Sequence, residues 1–442
     1  MAALAAGPAT GLAETLQDAL TSAYTTNPTL DAARAQLRAV DEQVPQARAN
    51  YFPTVTGTGN LGKSDTTSKS PFFTQSTTIS PRGANVTISQ PVYRGGRTEA
   101  QTDQAENDVL AGRAQLLVTE QTILLAAATA YADVFRDQAV LDLNINNEQV
   151  LRRQLEATTD QFQVGEVTRT DVSQAEARLA SATAARIQAE GNLESSRAVY
   201  RNVIGLLPGK LTEPDPLAGL PGNRDDAIAE SEKNPAVISA RFSELAARSS
   251  VDVAYGQLLP TLSLNGEYQR QDEASSRNGF AESTSLTAQL SVPLYPGGGV
   301  YSQVRQAKET VLQLRKQVEA ALRDAAQQST QAWNALETAR AQSKSFEAQI
   351  RANEIALEGV RQEATVGSRT VLDILNAEQE LLDSKVNHVR SRRDALVAGW
   401  QLKAAVGQLT AKALDLPVEY YDVEKHYEEV REKLWGVGED LK

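Results

Sequence analysis

The sequence predicts a mixed α/β membrane protein built from two copies of one unit, in which a β-hairpin leads into a very long helical hairpin. Three observations support this fold class: motifs that recur at a fixed offset, two long spans without proline, and alternating apolar and polar residues before each span. Aromatic residues make up only 5% of the 442 residues and the mean hydropathy is negative. This composition favours helices with narrow apolar seams over layered globular cores.

The duplication is visible in paired motifs. Asn27-Pro28 recurs as Asn234-Pro235, an offset of 207 residues, and VGEVTRTD at 164–171 recurs as VGSRTVLD at 366–373, an offset of 202. An ordered series of pairs at nearly one offset indicates an internal repeat. We therefore expect a leader remnant at 1–11, repeats at 12–207 and 225–409, a linker at 208–224 and a tail at 410–442.

Two long spans, 92–207 and 297–416, contain no proline and permit uninterrupted helix. Within them, Gly165 and Gly367 are the clear turn signals, and each is followed by threonine and aspartate residues suited to starting a new helix, Thr168 or Thr170 with Asp171 in the first copy. Helical hairpins are expected at about 98–204 and 300–408, with tips at 164–171 and 366–373. Apolar residues seven apart mark a coiled-coil-like seam at Val109, Leu116, Ile123 and Ala130, and at Val311, Val318, Ala325 and Ala332.

The segments that precede the helices alternate with a period of two, which predicts half-exposed strands. Strands are expected at about 53–63, 82–92, 260–271 and 283–294, separated by Ser-, Thr- and Gly-rich loops at 64–81 and 271–283. Strands of about ten residues can cross a bilayer when tilted. Four strands cannot close a barrel, whereas three copies of the chain would supply twelve. A small amphipathic hairpin on a soluble helical bundle is the alternative.

Four aromatic residues stand at the ends of the strands nearest the helices: Tyr51, Phe52, Tyr93 and Tyr295. Aromatic residues at such positions are typical of an interfacial girdle, although they also occur in soluble cores. No stretch of the sequence has the roughly 20 apolar residues of a transmembrane helix. The small residues at the start of the chain resemble the end of a secretory signal, or a plain disordered leader.

Charge and residue usage exclude several classes of function. The net charge of −12 disfavours a nucleic acid as partner, because no basic excess exists to release counterions. With no cysteine and only two histidines, His388 and His426, neither at ligand spacing, we expect no metal site. No nucleotide-binding or nucleophile motif appears, so we expect neither a cofactor nor enzymatic activity.

The paired tip motifs, the junctions QPVYRGGR and VPLYPGGG, and the two Asn-Pro pairs together resemble the TolC family of outer-membrane factors, over nearly all of Leu12 to Leu414. The resemblance implies a homotrimer in the outer membrane of a Gram-negative bacterium, with a 12-stranded antiparallel barrel continuous with a helical periplasmic tunnel. It also implies a passive duct that docks to a periplasmic adaptor and an inner-membrane ABC or proton-driven pump. The C-terminal YYDVEKHYEEVREKLWG resembles tails of members that serve type I secretion; multidrug efflux is the alternative.

The family pattern assigns roles to residues at the tips. Asp373 matches an aspartate that rings the periplasmic entrance, whereas Asn376 replaces the second aspartate of that pattern. Arg369 matches an arginine that locks neighbouring hairpins, and Thr170 and Asp171 match its partners, while Ala364 replaces a locking tyrosine. The residues expected to form the adaptor-docking turns are Val164, Gly165, Val366, Gly367 and Ser368.

Other interpretations stay open from the sequence alone. Asp171 and Asp373 follow the glycine turns, so helix capping alone would also account for each of them. A soluble or periplasmic coiled-coil adaptor or scaffold would explain the helical hairpins but not the alternation in both pairs of strands. A carboxylate-based hydrolase would fit the acidic balance but has no pocket signature.

Overall fold

The computed structural model describes residues 14–214, 217–274 and 276–437, so the expected leader remnant at 1–11 lies outside the described residues. By their internal contacts the residues form two compact units, and each unit draws on both sequence repeats. The first unit comprises described residues within 14–34, 114–238 and 320–421, and the second comprises those within 35–113, 239–319 and 422–437. The boundaries of the two repeats themselves stay a prediction from the sequence.

The helices are ten in the described part of the chain: α1 (Leu16–Thr26), α2 (Pro28–Asp41), α3 (Gln43–Arg48), α4 (Arg97–Gln163), α5 (Arg169–Ile204), α6 (Arg224–Ser231), α7 (Pro235–Tyr255), α8 (Gly299–Thr365), α9 (Val371–Ala405) and α10 (Lys425–Arg431). The long arms α4 and α8 contain 67 residues each, which is about 100 Å at 1.5 Å per residue. Their return arms α5 and α9 are about half as long, with 36 and 35 residues. No residue of the expected apolar seams is exposed.

The described strands are β1 (Thr54–Leu61), β2 (Ser64–Lys69), β3 (Thr74–Ile79), β4 (Arg82–Tyr93), β5 (Thr261–Asp272) and β6 (Phe280–Ser291). Four of them form one antiparallel sheet in the order β1-β4-β5-β6, so the hairpin strands of the two repeats pair with each other through β4 and β5. The expected fold class of four strands and two long helical hairpins per chain is therefore confirmed. No described helix is long and apolar enough to span a membrane.

The expected loop at 64–81 was wrong, because it contains the hairpin of β2 and β3. The composition of this segment favoured a loop because Ser and Thr are common in loops. Threonine is also β-branched, however, and fits an extended backbone. Thr67 pairs with Ser76 and their hydroxyl oxygens lie 3.0 Å apart, while the amide of Ser70 donates to the carbonyl of Phe73 at 2.8 Å to close the turn.

The second loop, expected at 271–283, is shorter than the sequence suggested. Strand β5 continues to Asp272 and β6 begins at Phe280, so the described residues between them are only 273–274 and 276–279. The last strand ends at Ser291 instead of 294. Pro293 explains this end, because proline has no amide hydrogen to donate to a strand partner.

The repeated Asn-Pro pairs close the helical hairpins. The side-chain amide of Asn27 donates to the carbonyl of Val203 at 2.8 Å, and its oxygen accepts from the amide of Thr29 at 2.9 Å. Asn234 acts in the same way on the carbonyls of Ala404 and Ala405. Each asparagine therefore starts one helix and satisfies the last carbonyl groups of a return arm.

Candidate functional site at the hairpin tips and on the sheet

The two tips are tight turns of the same construction. In each, a glycine adopts the left-handed conformation that favours this residue, with φ of +84° at Gly165 and +80° at Gly367. Backbone amides after the long helix close the turn, as Ser368 does by donating to the carbonyl of Glu363 at 3.0 Å. Val164 and Val366 are strongly exposed, so both tips present an apolar side chain to their surroundings.

Each return arm begins with a capping box. Thr168 and Thr370 are the N-cap residues, which resolves the choice between Thr168 and Thr170 in favour of Thr168. The Asp373 carboxylate accepts from the backbone amide of Thr370 at 2.9 Å and from its hydroxyl at 2.8 Å, and Asp171 accepts from Thr168 at 2.9 and 2.7 Å. These bonds stabilise the charged form.

Hydrogen bonding favours the charged form of both tip aspartates. The bonds from Thr370, aided by the positive charge of Arg369, hold the pKa of Asp373 below its ordinary value. The bonds from Thr168 do the same for the pKa of Asp171. Both carboxylates are therefore ionised at neutral pH, as an entrance ring would require, and both are also bound as helix caps.

Arg369 contacts its own hairpin within this chain. Its guanidinium donates to the Glu363 carboxylate at 2.8 Å, and this ion pair raises the pKa of Arg369. The described contacts of Asp171 are those of its cap, and Thr170 lies exposed one residue into α5. Among the described residues, Arg369 is therefore brought together with Glu363 and not with Thr170 or Asp171.

The second return arm is fixed to the first hairpin just below the tips. Leu375 is 1% exposed and packs in a cluster with Leu151 of α4 and Ala182 of α5. Next to it, Arg178 of α5 donates to the side-chain oxygen of Asn376 at 2.7 Å. These contacts hold the start of α9 against both arms of the other hairpin, so Asp373 and Asn376 have defined positions.

The sheet has one apolar and one polar face, and much of the apolar face is exposed. On the apolar face the register places Val55 opposite Ile88, and Val86 opposite Tyr268, all of them exposed. On the other face Thr56 lies opposite Thr87. An exposed apolar face of this extent marks a surface that contacts lipid or another chain. Strands β1 and β6 each have a partner on one side only within the described sheet.

The four expected interfacial aromatics lie at one end of this sheet. Tyr51 and Phe52 directly precede β1, Tyr93 ends β4, and Tyr295 follows β6. The register, in which Thr54 pairs with Ser89, puts these strand ends on the same side. All four side chains are exposed.

Sequence reasoning missed several residues that shape the tip region. Arg178 and Glu363 each bond a predicted site residue, and Arg361 forms an ion pair with Glu378 between α8 and α9. Charged residues on long helices mostly face solvent, so the sequence does not single out these three residues. Their contacts become apparent only when the neighbouring helical arms are placed side by side. The recurring Thr-x-x-Asp spacing within the tip motifs was a usable signal for the capping boxes.

Comparison with known proteins agrees with this architecture. The family model described as "Outer membrane efflux protein" matches residues 19–206 and 229–408. The outer membrane efflux protein BepC of Brucella suis is 34% identical over 96% of this chain and 92% of its own length. The alkaline protease secretion protein AprF of Pseudomonas aeruginosa is 27% identical over 67% of this chain and 63% of its own length.

A solved structure shares the fold. The CmeC outer membrane channel of Campylobacter jejuni superposes with a TM-score of 0.81 over 94% of this chain and 89% of that one, at 16% sequence identity. At this identity the likeness concerns the fold alone.

Proposed function

We propose that this chain, which belongs to the outer membrane efflux protein family, serves as the outer-membrane exit duct of a type I protein secretion system. Family membership confirms the expected resemblance and gives its location as the outer membrane and its role as export. The observation that carries the finer proposal is the relationship to AprF, a protein named for protease secretion, together with the C-terminal YYDVEKHYEEVREKLWG.

The duct is proposed to form from three copies of the chain. The exposed apolar face of the sheet suits lipid, but β1 and β6 leave unpaired backbone groups at the two edges. Such edges cannot stay open in a bilayer, because hydrocarbon offers no hydrogen-bond partners. Edge-to-edge pairing of three identical sheets would give a closed twelve-stranded barrel with the polar face inside.

The tips are proposed to dock the periplasmic adaptor and to control the entrance. Val164, Gly165, Val366, Gly367 and Ser368 form exposed turns that a partner can grip. Three copies of ionised Asp373 around an axis would favour cations, with Asn376 as a weaker polar ring beside them. Arg369, positioned by Glu363 of its own hairpin, would lock the closed state through Thr170 and Asp171 of a neighbouring one.

Efflux of small molecules is the second candidate. It is favoured by the 34% identity to BepC over nearly the whole chain. In either case the chain would be a passive conduit, with energy supplied by an inner-membrane ABC or proton-driven pump.

Gene deletion in the native host separates these two functions. The secreted proteins of the deletion strain are measured by mass spectrometry, and growth inhibition by a panel of dyes, detergents and antibiotics is measured in parallel. Type I secretion predicts loss of specific secreted proteins that the wild-type gene restores. Drug hypersensitivity with an unchanged set of secreted proteins would instead support efflux.

Variants at the tips test adaptor docking, and a variant at an exposed residue elsewhere is the matched control. We expect the double variant Val164→Asp/Val366→Asp to reach the outer membrane as wild type does but to lose export, because it adds charge to both exposed turns. The variant Phe72→Asp, in the exposed turn between β2 and β3 and far from the tips in sequence, adds the same charge and is expected to retain export. Export that survives the tip variant would contradict adaptor docking at these turns.

A further inference from the structure

The last described residues of the chain form an exposed apolar segment. Leu434 is 58% exposed, Trp435 is 88% exposed and Val437 is fully exposed. Gly436 between them has φ of +97°, which turns the backbone. Tryptophan is seldom left in water in this way, so the segment Leu434–Val437 is a candidate contact surface.

The helix before this segment is held firmly in its unit. The ring of Tyr427 packs on a buried cluster that includes Val44 and Val109, and Val430 is buried. His426 lies 3.0 Å from the carboxylate of Asp41, a residue only 1% exposed. The exposed segment therefore starts from a fixed point on α10.

That fixed point lies next to the aromatic end of the sheet. The guanidinium of Arg48 donates to the carbonyl of Arg431 at 3.5 Å and lies 3.8 Å from the Glu432 carboxylate. Arg48 is the last residue of α3 and is followed within three residues by Tyr51, then by Phe52 and β1. The exposed tail thus leaves α10 at the level where the chain enters the sheet.

We propose that Leu434–Val437 inserts into the periplasmic leaflet of the outer membrane, as an interfacial anchor beside the aromatic ends of the sheet. The proposal rests on the membrane placement of the sheet given under the proposed function. Lipid is the occupant that the surroundings favour, since Arg48, which contacts Arg431 and Glu432 just before the tail, leads directly to the exposed Tyr51 and Phe52 at the end of the sheet. Tryptophan suits this depth, because its ring is apolar and its N–H can bond to headgroups or water.

Quenching of tryptophan fluorescence by brominated phospholipids tests the proposal. The chain has three tryptophans; Trp400 is buried and Trp333 is partly buried, so Trp435 should dominate contact with lipid. We expect the full chain in proteoliposomes to be quenched by lipids brominated near the headgroup end of the acyl chain. The variant Trp435→Phe should lose most of this quenching, and the matched variant Trp333→Phe should retain it.

Two further measurements define the outcomes. Aqueous iodide that quenches Trp435 while brominated lipid does not would overturn the proposal by placing the tail in water. Protection from both quenchers would overturn it by placing the tail against protein. Leu290→Trp, on the apolar face of the sheet, in the Trp435→Phe background separates the two levels of inference: lipid quenching there without quenching of Trp435 rejects only the anchor, and absence at both sites rejects the membrane placement.

Discussion

Replacing Asn27 by alanine should loosen the end of the first helical hairpin. Asn27 is 6% exposed and makes two hydrogen bonds, to the carbonyl of Val203 and from the amide of Thr29. Each bond contributes about 0.5–1.5 kcal/mol net, so their loss costs about 1–3 kcal/mol. In opening equilibria this corresponds to roughly a 5- to 150-fold loss of protection.

The second repeat should respond more strongly to the same change. Asn234 makes three such bonds, which raises the expected cost to about 1.5–4.5 kcal/mol. Two further hydrogen bonds stabilise the end of α5 in the first repeat: the hydroxyls of Ser22 and Thr26 donate to the carbonyl of Ile204 at 3.0 and 3.1 Å. At the corresponding positions the second repeat has alanine and lysine.

Hydrogen exchange read by mass spectrometry measures these effects in the assembled protein. Peptides covering the ends of α5 and α9 should exchange faster in Asn27→Ala and Asn234→Ala respectively, each without a change in the other hairpin. Asn27→Asp keeps the acceptor for Thr29 but sets a carboxylate oxygen against the carbonyl of Val203, so an effect at least as large as that of Asn27→Ala is expected. Thr29→Ala, an exposed neighbour, is the control. Equal exchange in Asn27→Ala and Thr29→Ala would refute the reasoning.

Three further predictions concern the tips. Arg369→Ala should raise single-channel conductance in planar bilayers, because it removes the guanidinium that Glu363 holds at 2.8 Å and with it the proposed lock to Thr170 and Asp171 of a neighbouring hairpin; conductance equal to wild type would reject the lock. Asp373→Ala should relieve block by divalent cations, measured in the same bilayers, whereas retained block would place the ring elsewhere. The cap on α9 should depend on pH: the lowered pKa of Asp373 means that its contribution is present above the ordinary carboxyl pKa of about 4 and is lost as pH falls through the lower folded value. After correction for the intrinsic pH dependence of amide exchange, protection at 366–373 should therefore be unchanged from neutral pH to about pH 5 and fall in stronger acid, and a fall already near pH 6 would argue against this cap.

Much of the fold follows from the sequence because its strongest signals are local or periodic. Long proline-free spans, glycine turns and period-two alternation each depend on neighbouring residues, so α4, α5 and the strands of the main sheet lie close to their expected positions. The hairpin β2–β3 was not predicted, because polar strands that face water on both sides show no alternation of apolar and polar residues. Composition alone then favours a loop.

The contacts of the site were harder to predict, since they join distant parts of the chain. Nothing in the sequence connects Asn27 with Val203, which lie 176 residues apart, or Arg178 with Asn376, 198 residues apart. The paired motifs predict candidate positions, but they do not predict contacts between distant motifs. The capping role of Asp373 was open from the sequence, and the structure adds that role without excluding an entrance ring.

The two tips differ in a way that separates the wall of a duct from its proposed gate. Leu375 at the start of α9 is buried, whereas Ser173, its counterpart at the offset of 202, is exposed on α5. Val371 likewise packs on the cluster around Leu375 where the first tip has the exposed Arg169. The apolar start of α9 packs against both arms of the other hairpin, whereas the polar start of α5 is exposed. A movement between the two hairpins would therefore shift Asp373 and Asn376 of α9 relative to the first hairpin. For this reason we assign the proposed gate to the second repeat.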